Sequence, residues 1–156
     1  MNKEHHYACE VLWTGNSGEG TKTYAGYSRD HEVIINGKVV IEGSADTAFL
    51  GDPSRHNPED LLLAALSACH MLWYLHLCAD QGIVVTGYRD HAAGTMLQTG
   101  AGGHFTSVVL HPQVTITDMN RVEEANALHT RANQCCFIAG SCNFPVTHEP
   151  LCLVES

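Results

Sequence analysis

The chain has 156 residues and a formal charge of −9, from 8 Lys+Arg against 17 Asp+Glu. That length supports one domain with its own core, so residues 1–156 read as a single domain. The acidic balance argues against nucleic acid or an anionic membrane as partner, since both need a basic face to displace counterions.

The first residues, MNKEHHYACE, are polar and lack the apolar run of a secretory signal. The first fifty residues read as a β meander. HYACEVLWTG turns apolar at its end, GTKTYAGYS is β-friendly, and HEVIINGKVVIEGS carries Asn36-Gly37 between apolar runs, a hairpin turn signal. A turn-rich connection from Ala45 to His56 precedes one long helix, NPEDLLLAALSACHMLWYLHLCADQG. Asn57 is its N-cap, Pro58 its first turn, Glu59 and Asp60 face the positive end of its dipole, and Gly82 stops it.

GIVVTGYRDHAAGTM and HFTSVVLHPQVTIT are expected as strands around the turn TGAGG. DMNRVEEANALHTRANQ is an amphipathic helix with Val122, Ala125, Leu128 and Ala132 near helical spacing, and a last strand covers roughly Val146 to Val154. This order predicts an α+β fold without βαβ alternation. Seven cysteines without repeated spacing argue against a disulfide framework and for the reducing cytoplasm. Eleven histidines are scattered along the chain, with no HExxH and no CxxC, so metal binding is a rival reading and not the first one.

The long helix approaches the ~20 apolar residues that span a bilayer. His70, His76, Ser67, the acidic flanks and the absence of a basic cluster argue against a membrane. A core helix with inert cysteines is the other plain reading. A helix apolar all round needs cover on every side, and a homodimer packing two such helices together is the economical solution.

NPEDLLLAALSAC combines an Asn-Pro-Glu helix start with a Ser-Ala-Cys whose cysteine stands ten positions after the glutamate. With Arg29 in GYSRDH and Cys136 in RANQCCFIAGSCNFPV, the chain resembles the OsmC/Ohr superfamily of osmotically inducible and organic hydroperoxide resistance proteins over nearly its whole length. The resemblance implies an intertwined dimer in which sheets from both chains wrap two buried central helices. It also implies a cofactor-free thiol peroxidase for organic hydroperoxides, with Cys69 as peroxidatic cysteine, Cys136 as resolving cysteine entering a short helix, and Arg29 and Glu59 as polar partners. An external dithiol would return the pair to its reduced state. The hydroperoxide-resistance branch has proline after the second cysteine where this chain has Phe137, so the resemblance points to an OsmC-like branch.

The chemistry sets its own demands. An ordinary thiol, with a pKa near ~8.5, is mostly protonated in a neutral cell, and burial in an apolar helix raises it further. No lysine or arginine lies between Arg55 and Arg89, so a cation for Cys69 must come from elsewhere in the fold. Arg29 is the family's candidate and Arg55 its rival, with an Arg55–Glu59 contact expected as a weak surface pair. Ten residues of helix put Glu59 ~15 Å from Cys69. We therefore expect Arg29 and Glu59 of one chain to pair and to serve Cys69 of the other, the alternative being a dipole role for Glu59 and a solvated Arg29.

Cys78 is expected as an inert core thiol, and His70 and His76 as core histidines. Met71, Leu72, Trp73 and Phe137 would form an apolar wall favouring alkyl or aryl hydroperoxides. A non-enzymatic redox sensor or small-ligand binder on the same fold is the alternative function.

Overall fold

The computed structural model describes residues 2–155 and divides into two compact units, residues 1–61 and 62–156. In the first, β1 (Glu10–Trp13), β2 (His31–Ile34) and β3 (Ile41–Gly43) form an antiparallel meander in that order. The Asn36-Gly37 turn is present: Lys38 N–H donates to the Ile35 carbonyl at 3.0 Å, and Gly37 holds φ 76°. GTKTYAGYS, expected as β-friendly, forms turns instead. Asn16 Oδ1 accepts from the amides of Gly18 and Gly20 at 2.9 and 3.0 Å, and both glycines sit at positive φ, so local turn chemistry overrides β propensity there.

This unit has a polar interior. Among its described residues only Gly15, Gly43 and Ser44 are buried, so it buries no apolar side chain. Ser44 Oγ donates to Asp30 at 3.0 Å and accepts from Asp52 N–H at 3.1 Å. Val11, Leu12 and Trp13 remain 63, 47 and 41% exposed.

Helix α1 (Pro58–Asp80) starts and stops where the sequence indicates. Asn57 Oδ1 accepts from Asp60 N–H at 2.8 Å, which satisfies one orphan amide of the first turn. At the other end Gly82, at φ 69°, lets Ile83 N–H reach the Cys78 carbonyl at 2.8 Å and Gly82 N–H the Ala79 carbonyl at 3.0 Å, a Schellman closure. The expected all-round burial is corrected within the single chain. Leu66, His70, Tyr74, Leu77 and Cys78 are the buried residues of α1, one stripe at helical spacing. A second stripe through Ala65, Ala68, Cys69, Leu72, Trp73 and His76 faces outward, and Leu72 is 62% exposed.

The two long strands expected in the second unit are each divided. They form β4 (Val85–Asp90), β5 (Ala93–Thr99), β6 (Gly102–Leu110) and β7 (Pro112–Ile116). Asp90 makes the corner: its carboxylate takes the His111 amide at 2.7 Å and the Ser67 hydroxyl at 2.5 Å, diverting His111 from the ladder. The last strand is likewise two, β8 (Val146–His148) and β9 (Leu151–Val154). The result is two three-stranded sheets, β4-β7-β9 and β5-β6-β8, each with one antiparallel pair and one parallel C-terminal partner.

Alternation along β7 buries Pro112, Val114 and Ile116. Helix α2 (Val122–Cys135) presents Ala125, His129 and Ala132 inward. Tyr74, Leu77 and Cys78 of α1 share a core cluster with Val114, Ile116, Ala125 and Ala132, while Leu66 packs with Val108 and Leu110 of β6.

Candidate functional site

Cys69 sits on the outward stripe of α1, partly buried. Cys136 follows the last turn of α2 in extended conformation (φ −68°, ψ 108°) and is 3% exposed. It leaves a helix where the resemblance has it enter one, the next turn being a 3-10 turn at Ala139–Ser141. The two cysteines, 67 positions apart in sequence, are near enough for the Cys69 thiol to act on that of Cys136. Burial raises the Cys136 thiol above its ordinary range; the Ala139 N–H, 3.4 Å from its sulfur, opposes that shift and contact with Cys69 adds to it. Cys136 is therefore a protonated thiol at neutral pH.

Cys69 opens on an apolar cavity of about 650 Å³. Leu72, Trp73 and Phe137 of the expected wall line it, while Ala65, Ala68, His76 and Ile138 take the remaining positions and Met71 none. Among the described residues, no lysine or arginine lines it. His76, expected in the core, is 59% exposed and stands 3.4 Å from Asp80 one turn on. Cys136 lines a second, more polar cavity of about 480 Å³ with Gln134, Cys135, Gly140 and Ser141. Trp73 and Phe137 border both cavities, their rings edge to face at 5.6 Å.

In the first unit, Arg29 and Glu59 line one cavity of about 420 Å³ with Trp13, Tyr27, His31 and Phe49. The expected Arg29–Glu59 ion pair is not formed among the described residues. The guanidinium donates to the carbonyls of Tyr27 and Tyr24, both at 2.6 Å, and lies 4.2 and 4.4 Å from the centres of the Tyr27 and Tyr24 rings. Two carbonyls and two aromatic faces hold it without neutralising its charge. Arg55 meets Asp30 and Glu42 at 3.7 Å and Asp52 at 3.9 Å, in place of the expected contact with Glu59. Three carboxylates around one guanidinium make Arg55 a structural cation.

The sequence reading missed a buried imidazole cluster. His70, fully buried as expected, has Nε2 3.0 Å from Nδ1 of His129, and the His129 ring stacks on Tyr74 at 3.8 Å. His148 lies 5.6 and 6.1 Å from the two rings. Burial holds His70 down to about 4 and His129 to about 3, and lowers His148 as well. The signal was present: His129 stands four residues after Ala125 and three before Ala132, on the apolar face of its helix. Among the described residues no group of three or more His, Cys, Asp or Glu side chains is placed to hold a metal ion. Cys78 is buried as expected, and burial raises its thiol above the ordinary value.

No curated protein matches the sequence. The fold matches an OsmC-like protein of unknown function from Vibrio cholerae at 31% identity and TM-score 0.84, over 95% of this chain and 100% of that one. An OsmC-like protein from Mycoplasma pneumoniae matches at 11% identity and TM-score 0.72, over 97% and 99% of the two chains. An organic hydroperoxide resistance protein from Elizabethkingia anophelis matches at 19% identity and TM-score 0.67, over 98% and 100%. The model of the OsmC-like protein family matches residues 51–150. With that match, and a relative 31% identical over nearly the whole length, the chain belongs to the OsmC-like protein family.

Proposed function

We propose that this protein is a cytoplasmic, homodimeric, cofactor-free peroxidase that reduces organic hydroperoxides to alcohols through Cys69 and Cys136. The observation that carries the reading is the proximity of Cys136 to Cys69, which itself opens on an apolar cavity. Cys69 thiolate attacks the terminal peroxide oxygen, the O–O bond breaks, and the departing alkoxide takes up a proton to become the alcohol, leaving a sulfenic acid on Cys69. Cys136 then forms an S–S bond to that sulfur and gives up its proton, and the sulfenic hydroxyl leaves as water. An external dithiol reopens the disulfide.

The Cys69 cavity needs a cation that its own lining lacks. Arg29 of the partner protomer is the proposed source, because it lines a cavity and its guanidinium is held by neutral carbonyls, with no carboxylate paired to it among the described residues. Glu59 of that protomer would face the same space, ten residues along α1 from its own cysteine and so out of reach of it. Two observations support a second copy as the missing cover: the meander buries no apolar side chain of its own, and α1 carries an outward apolar stripe.

The test is steady-state reduction of cumene hydroperoxide with dithiothreitol. Cys69→Ser should abolish turnover, and Cys136→Ser should stop after one event with a dimedone-reactive sulfenic acid. Wild-type turnover in Cys69→Ser would refute the assignment. A redox sensor, which the cation-free lining of the single chain would also suit, predicts reversible oxidation of Cys69 without turnover in the same assay.

A further inference from the structure

Resting on the peroxidase reading, we infer that the site has two separate mouths: peroxide enters by the Cys69 cavity, and the reducing thiol enters by the cavity behind Cys136. The two openings touch different sulfurs. Cys69 lines the first and not the second, whereas Cys136 lines the second and not the first. Trp73 and Phe137 stand between them as a shared aromatic wall.

Thiol–disulfide exchange requires the incoming sulfur, the attacked sulfur and the leaving sulfur to lie nearly in line. Once Cys69 and Cys136 are joined, a thiol attacking Cys136 must come from the side away from Cys69, and the second cavity is the opening that Cys136 lines without Cys69. The linings match the two reactants. The Cys69 cavity is apolar and suits an alkyl or aryl group, whereas Gln134 and Ser141 beside Cys136 suit a small dithiol with polar substituents.

The choice of sulfur also follows from the leaving group. Attack at Cys69 would expel Cys136, whose buried thiolate is disfavoured and therefore leaves slowly. Attack at Cys136 expels Cys69 first and leaves the departure of Cys136 to the second exchange, in which the attacking thiol is already tethered. The external thiolate forms a mixed disulfide with Cys136 and Cys69 departs as thiolate, ready for the next peroxide. The second thiolate of the reductant then closes on the first sulfur and releases Cys136, which takes up a proton. The dithiol leaves as a cyclic disulfide, oxidised by two electrons, and the protein disulfide is reduced by two.

Gly140 supplies the test. A Cβ added there meets nothing within 4 Å, and the glycine does not occupy the left-handed region, so a larger side chain fits on the lining of the second cavity without disturbing the backbone. Gly140→Leu, and separately Gln134→Trp at an exposed position in the last turn of α2, should slow reduction of the disulfide by dithiothreitol about tenfold or more. Single-turnover oxidation by cumene hydroperoxide should keep its wild-type rate in both. In the wild-type protein, excess 2-phenyl-2-propanol, the product alcohol, should inhibit oxidation but not reduction. Equal slowing of both half-reactions, no slowing in either variant, or inhibition of reduction by the alcohol would overturn the two-mouth arrangement. A protein that cumene hydroperoxide does not oxidise refutes the peroxidase reading instead. Its disulfide can then be formed with diamide, and the reduction arm still judges the second mouth.

Discussion

Acidification should unfold this protein through its buried imidazoles. His70 and His129 are 0 and 1% exposed, share one N–H···N bond, and are held down to about 4 and about 3 from an ordinary 6.5. Burial is the main cause, His148 pushes both in the same direction, and Asp90 partly opposes the shift at His70. Between pH ~6.5 and ~4 the unfolded chain binds protons that the folded chain refuses, so stability is full above the unfolded pKa and falls as pH falls. At about pH 5, some 1.5 units below the unfolded value, each histidine has withdrawn about 2 kcal/mol. The pair together withdraws about 4 kcal/mol, against a typical domain stability of ~5–15 kcal/mol. Asp52 and Glu124, whose carboxyls are held below their usual values by hydrogen bonds to Ser54 and Arg121, lose their contributions only at lower pH. Urea midpoints between about pH 7.5 and 5 should therefore fall steeply in the wild type, and with about half that slope in His129→Phe. A flat midpoint across that range, or an unchanged slope in the variant, would refute the argument.

Three further outcomes follow from the geometry. Leu66→Ala, at a fully buried position against Val108 and Leu110, should lower unfolding free energy by about 2–5 kcal/mol in chemical denaturation. Gly51→Ala should destabilise the meander by about 1–3 kcal/mol or more, read as a lowered thermal midpoint, because the new Cβ would fall 1.6 Å from the Ala45 carbonyl oxygen. Arg29→Lys should reduce kcat/KM for cumene hydroperoxide nearly as far as Arg29→Met does. An ammonium cannot donate to the Tyr24 and Tyr27 carbonyls in a planar fork while lying against both rings. Wild-type kinetics in Arg29→Lys would show that charge alone suffices.

The sequence was most informative where chemistry is local. Asn57, Pro58 and Gly82 bounded α1 because caps act within one turn, and Asn36-Gly37 marked its turn for the same reason. It was least informative where one distant contact decides. Nothing near His111 reveals that the Asp90 carboxylate will take its amide and divide each long strand in two. The outward stripe of α1 was equally hidden, since an apolar helix does not disclose which of its faces its own chain will cover. Spacing marked Cys69 and Cys136 only through the family resemblance, because a separation of 67 positions says nothing of proximity. The histidine cluster had a helical signature at His129, but His70 and His148 reach it from other elements.

The parallel pairing of β8 with β6 and of β9 with β7 bears on how the chain is made. Both middle strands are synthesised well before their outer neighbours, so a nascent chain stalled at Phe144 would display two raw sheet edges at once. A single nine-residue segment, 146–154, seals both. Until it emerges from the ribosome, residues 62–145 depend on whatever shields growing polypeptides from one another.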